Sequence, residues 1–181
     1  MKRMVLVVLI VLALSAAAFA QSQAEIDKAL LPAPRQLKAD ATVIKWKPDF
    51  TYDTLKKGTN KLVCYDRSGQ PGQQPFAVEC TSMANLERVA QSLKVEASTD
   101  KKDLRAAFEK IEKEGKWIKP EFGSLWIHMS GADQASARMH TTIAVPGATT
   151  QSLGFPDNPR QGGVWIMDAG SSEAHLMTPG S

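Results

Sequence analysis

The chain has 181 residues, with 22 Lys and Arg against 19 Asp and Glu, a formal net charge of +3 and 43% hydrophobic residues. A chain of about 150 residues buries roughly 68–70% of its unfolded surface, enough for one real core. The weak charge excludes a strong electrostatic footprint for nucleic acid or an anionic membrane.

Residues 1–20 carry Lys2 and Arg3, the apolar run Val5 to Leu14 and the small-residue ending Ala18-Phe19-Ala20. This pattern predicts a cleaved secretory signal peptide, followed by one α+β domain over 21–181. The run is short beside the about 20 apolar residues that a bilayer span needs. Without Lys2 and Arg3, 20 basic residues face 19 acidic ones. The expected product is therefore periplasmic or secreted, with no nucleic-acid partner and no membrane span after signal removal. The short basic start suggests a bacterium.

Ser22 to Leu31 reads as a helix, with Ser22 and Glu25 as a capping box and Pro32 and Pro34 ending it. "ATVIKW" and "TYDTL" read as strands on either side of Pro48. "KLVCYD" and "PFAVEC" flank the Gly- and Gln-rich loop "RSGQPGQQ". The two-residue strand period puts Leu62 with Cys64, and Phe76 and Val78 with Cys80. Pairing Cys64 opposite Cys80 keeps both apolar faces aligned, which predicts a structural disulfide across a wide hairpin. The cysteines do not form a C-x-x-C redox motif.

Two helices follow. "SMANLERVAQSL" places Met83, Leu86, Val89, Ala90 and Leu93 at helical spacing. "TDKKDLRAAFEKIEKEG" places Leu104, Phe108 and Ile111 on one stripe, with Thr99 or Asp100 as cap and Gly115 as stop. The C-terminal half offers four short strands, "SLWIHM", "HTTIAV", "GVWIM" and "AHLMT". Between them "PGATTQSLGFPDNPRQGG" reads as a surface loop with a possible functional role. Segregated helices and strands predict an α+β fold: a mainly antiparallel sheet with two to three helices packed against it and one disulfide.

The segments "LKKGTNKLVCYD", "WIHMSGADQAS" and "GGVWIMDAGSSEAHLMTP" together resemble a family of small exported bacterial proteins of uncharacterised function. Lys57 to Asn60, Cys64, Cys80, Asp133 and Ala174 to Met177 fall on the family's pattern, over most of residues 35–180. The chain departs from it after the turn, where "SARMH" replaces the usual polar residues. The resemblance implies an exported protein of this fold and names no substrate.

The three histidines each lie near a methionine. Strand alternation separates His128 from Met129 and His140 from Met139, but places His175 and Met177 on one face. Imidazole with thioether suits copper, Cu(I) above all. The expected metal ligands are therefore His175 and Met177, with His140 third if its strand neighbours theirs, and His128 is expected to be packed or hydrogen-bonded. "AGSSEAH" sets Ser171, Ser172, Glu173 and His175 close together. That leaves a Ser/His hydrolase open, although no nucleophile-elbow motif occurs and no catalytic residue is assigned. Four tryptophans, Trp46, Trp117, Trp126 and Trp165, are expected mainly as core anchors. The leading expectation is an exported envelope or extracellular accessory or binding protein, with weak copper binding and hydrolysis as alternatives.

Overall fold

The computed structural model describes residues 21–161 and 163–178. The expected signal segment lies outside the described residues. One eight-stranded sheet organises the chain, in the order β2-β1-β3-β4-β5-β6-β8-β7. Its strands are β1 (Thr42–Trp46), β2 (Tyr52–Lys56), β3 (Leu62–Asp66), β4 (Phe76–Ser82), β5 (Leu125–Gly131), β6 (Arg138–Ala144), β7 (Trp165–Met167) and β8 (His175–Met177). Among the described residues five helices accompany them: α1 (21–29), α2 (Arg35–Lys38), α3 (Leu86–Ser98), α4 (Leu104–Lys113) and α5 (Thr150–Leu153). Two 3-10 turns cover Met83–Asn85 and Pro159–Gln161.

The fold is α+β as expected, but the sheet is mixed, and it is wider and carries more helices than that expectation specified. β1 pairs β3 in parallel, while every other neighbouring pair is antiparallel. The parallel pair arises because β2 returns along one edge of β1 and the chain then crosses to its other side. Lys57 to Asn60 make that crossing. A Cβ on Gly58 would lie 2.2 Å from the Asp40 carbonyl oxygen, so only glycine fits the approach. Thr59 and Asn60 donate their backbone N–H groups to that same oxygen. Asn60 also holds the Leu37 carbonyl and the Leu62 N–H with its side chain. The K-G-T-N stretch is thus a crossover device.

Alternation gives the sheet two faces. On the disulfide face, Val43, Leu62, Cys64, Cys80 and Ile127 meet Ala29, Leu30 and Ala33 of the N-terminal segment. Cys64 and Cys80 are opposite one another in register and joined by a disulfide. The 146–161 segment continues this cover: Ala148, Leu153 and Phe155 pack with Ile143, Ile166 and Leu176. It lies at the surface, as expected, and its few apolar residues close the end of the sheet, with Thr149 and Ser152 capping α5 reciprocally. On the other face, Ile44, Val63 and Tyr65 meet Leu86, Val89 and Leu93 of α3.

Several local expectations change. Gln21 and Ser22 are both helical, so Ser22 sits within the helix and does not cap it. Met83 belongs to the 3-10 turn and is 40% exposed. Residues 99–103 form a turn closed by Asp103 N–H to the Asp100 carbonyl, so α4 starts at Leu104 without a side-chain cap. Gly115 does end that helix region, in a left-handed conformation.

Candidate functional site

The face opposite the disulfide carries the chain's histidines and its most deeply buried charges. In register, Glu79 of β4 faces His128 of β5, and His128 faces His140 of β6. Trp126 faces Thr142, which faces Met177 of β8, and Ala144 faces His175. The period of two therefore sets Glu79, His128, His140, His175 and Met177 on one side. Met129 and Met139 face each other on the opposite side.

Buried charge is concentrated where α3 crosses this face. Arg67, just past β3, is 6% exposed and pairs with Glu96 of α3, with Glu79 at 3.6 Å and with Gln70. Glu79, also 6% exposed, accepts from His128 Nδ1 at 2.9 Å. Burial alone would raise the Glu79 pKa. The hydrogen bond from His128 and the charges of Arg67 and His128 outweigh that, and its pKa is lowered. Glu96 goes the other way: burial raises its pKa despite the Arg67 charge. Arg67 stays firmly charged, because Glu79 and Glu96 overcome its own desolvation. Burial, with Glu79 nearby, pushes the Tyr65 hydroxyl far up. That hydroxyl is fully buried and has no hydrogen-bond partner among the described residues.

A second guanidinium sits across the gap. Arg88 of α3 is 8% exposed, donates to the Ile118 carbonyl at 2.7 Å and pairs with Glu173. Its guanidinium lies 4.6 Å from the ring centre of Trp117 and 5.7 Å from that of Trp126, a cation–π sandwich. Trp117 Nε1 donates to the same Glu173. Asn85 fixes the start of α3 through Thr81, Ser124 and the Glu121 N–H. Between the two arginines lies a cleft of about 240 Å³, bounded also by Ser92, Thr142 and His175. It continues past Ser92 and Glu173 into a wider groove of about 800 Å³ beside α4.

The expected ligand trio separates. His140 Nε2 lies 3.3 Å from Met177 Sδ, so β6 and β8 are neighbours as that expectation required. His175 shares their face but looks into the cleft, and its Nδ1 donates to the Glu173 carbonyl at 2.7 Å. In register His175 faces Ala144, two pairs beyond the row of Met177 and away from His140. Burial lowers the His140 pKa, reinforced by His128 and His175. Among the described residues, no three His, Cys, Asp or Glu side chains converge to hold a metal ion.

The other sequence candidates have structural partners. Ser171 donates its hydroxyl to the Asp168 carbonyl and Ser172 donates its hydroxyl to Glu112, so neither hydroxyl is directed at His175. Asp133 closes the β5–β6 turn by accepting from Ser136. Trp117 is buried, while Trp46, Trp126 and Trp165 are half-buried. Sequence reasoning missed Arg67, Glu79, Arg88 and Glu96, and it noted Glu173 only as a neighbour of His175. One signal was available in "PFAVEC", where a lone carboxylate occupies the middle of an otherwise apolar strand. No family model, curated protein or solved structure matches the chain.

Proposed function

We propose that this chain is an exported accessory protein that binds a small polar ligand in the cleft beneath α3. The observation that carries this reading is the pair of guanidiniums, Arg67 and Arg88, each more than nine-tenths buried at an open cleft. Buried ion pairs add little net stability, and apolar residues of similar volume often replace them without loss. Their placement at the cleft, and not beneath the disulfide face, suits recognition.

Two arginines against Glu79, Glu96 and Glu173 give the cleft both signs of charge. A ligand bearing a donor cation and an acceptor anion fits that balance better than a polyanion does. Amino acids and short peptides have this chemistry. Export is supported by the Cys64–Cys80 disulfide, which suits an oxidising compartment. Among the described residues no helix is long and apolar enough to cross a membrane.

Ser92 lines both parts of the cleft without belonging to a charged pair. Thermal-shift screening with amino acids, dipeptides and small amines should find a ligand that raises Tm. Ser92→Phe should fill the cleft and abolish that rise, with the circular dichroism spectrum unchanged. The proposal fails if none of the three classes stabilises the protein, or if stabilisation survives Ser92→Phe.

A further inference from the structure

We propose a second site, outside the cleft: a Cu(I) centre held by His140, Met177 and His128 on the open part of the same sheet face. The geometry of the first two ligands is already that of a shared ion. Their donor atoms are 3.3 Å apart. Bonds of roughly 2.0 Å to imidazole nitrogen and 2.3 Å to sulfur would then meet at about 100°. That angle lies within the range of a trigonal or tetrahedral ion, so these two ligands need no backbone movement.

The third ligand is His128, which replaces the sequence-derived His175. His128 stands directly opposite His140 on the same face, where paired Cβ atoms are about 4.5–5.5 Å apart. Its Nδ1 donates to the buried Glu79 carboxylate. In the neutral ring this leaves Nε2 as the acceptor nitrogen, able to bind a metal. A ligating histidine whose other nitrogen is held by a carboxylate is the common supporting arrangement of metal centres. Here Arg67 in turn holds Glu79. His175 lacks this position, because its Nδ1 is fixed by the Glu173 carbonyl and its ring lines the cleft.

Ligand type selects the ion. Two imidazoles and a thioether, without thiolate or carboxylate contact, suit Cu(I) better than Zn²⁺, which takes His, Cys or carboxylate. All three side chains are half-buried, so an ion can reach them from solvent. The competing explanation is an N–H···S hydrogen bond between His140 and Met177 that only closes the sheet.

Anaerobic titration of the purified protein with Cu(I), against a chromogenic chelator, separates the two. The expected result is one Cu(I) per chain with a micromolar or tighter Kd, and X-ray absorption showing one sulfur and two nitrogen neighbours. His140→Ala and Met177→Leu should each weaken binding at least tenfold, roughly the loss seen when support of a metal site is removed. Met177→Leu should also remove the sulfur signal, whereas His175→Ala should leave affinity unchanged. Should a variant misfold, the stoichiometry and sulfur signal of the unaltered protein still decide. Absence of Cu(I) binding, a bound ion without sulfur, or an affinity that depends on His175 as strongly as on His140 would overturn the site.

Discussion

The disulfide face and the histidine face are alternate sides of the same strands, and they handle burial in opposite ways. On the first, Val43, Cys64, Cys80 and Ile127 are covered by apolar residues of the N-terminal segment, and the 146–161 segment extends the cover. On the second, apolar packing under α3 gives way toward β5 and β6 to Arg67, Glu79, Arg88 and Glu96. All four tryptophans lie on this second side: Trp46 packs with Tyr65, Trp117 and Trp126 hold Arg88, and Trp165 faces Met177. The comparison teaches that one side is organised for cohesion and the other maintains charge where apolar residues would suffice. It also supplies a probe, since tryptophan emission reports chiefly on the charged side.

The largest effect should come from breaking the charge network without removing its partners. Arg67→Met leaves buried Glu79 and half-buried Glu96 without their shared cation, and removal of one member of a buried pair costs about 3–5 kcal/mol. Urea unfolding measures it. Replacing all three residues with apolar side chains of similar volume should recover most of that loss. If the single change costs no more than a surface substitution, about 0.5 kcal/mol, the network is not holding charge out of water. If the triple replacement stays as unstable as the single one, the network serves stability after all, and the contrast between the faces weakens.

The disulfide face should respond next. Replacing Cys64 and Cys80 with Ser should cost about 2–5 kcal/mol, the usual loss for a native bridge in a small secreted domain. The folded-state tryptophan emission should stay unchanged, because the bridge faces α1 and the tryptophans face away from it. A shifted emission spectrum in the folded double variant would show that the two sides are coupled, contrary to the comparison.

How much of this was legible in the sequence follows from the range of each signal. The eight strand segments, three of the helix regions and the Cys64–Cys80 pairing come from local period, which a single chain displays. The separation of His128 from Met129 came from the same rule. The placement of β8 beside β6 is a long-range pairing that no local pattern encodes, so the contact between His140 and Met177 stayed conditional. The burial of Arg88 against Trp117 and Trp126 depends on how α3 crosses the sheet, which no local pattern shows. The 146–161 segment does lie at the surface, as its Gly and Pro content signals, but Leu153 and Phe155 also pack it against the sheet end, which no turn signal shows.

The smallest expected effect tests the rim of the charged side. Glu112 of α4 accepts from both the hydroxyl and the backbone N–H of Ser172. These bonds lower its pKa below the ordinary value of 4.5, while slight burial opposes them. A carboxyl whose folded-state pKa is depressed stabilises the fold above its unfolded pKa, and that contribution disappears as pH falls through the folded value. Ser172→Ala removes the hydroxyl bond and keeps the backbone one. The loss near neutral pH should be about 0.5–1.5 kcal/mol at most, and nearer the lower end because Glu112 is largely screened by solvent. In acid below the folded value, where the carboxyl carries its proton in both states, the difference between the two proteins should shrink toward zero. Urea midpoints at the two pH values measure it. A difference that is constant with pH would mean that Ser172 acts through packing alone, and that α4 is not tied to the 171–173 turn by the Glu112 charge.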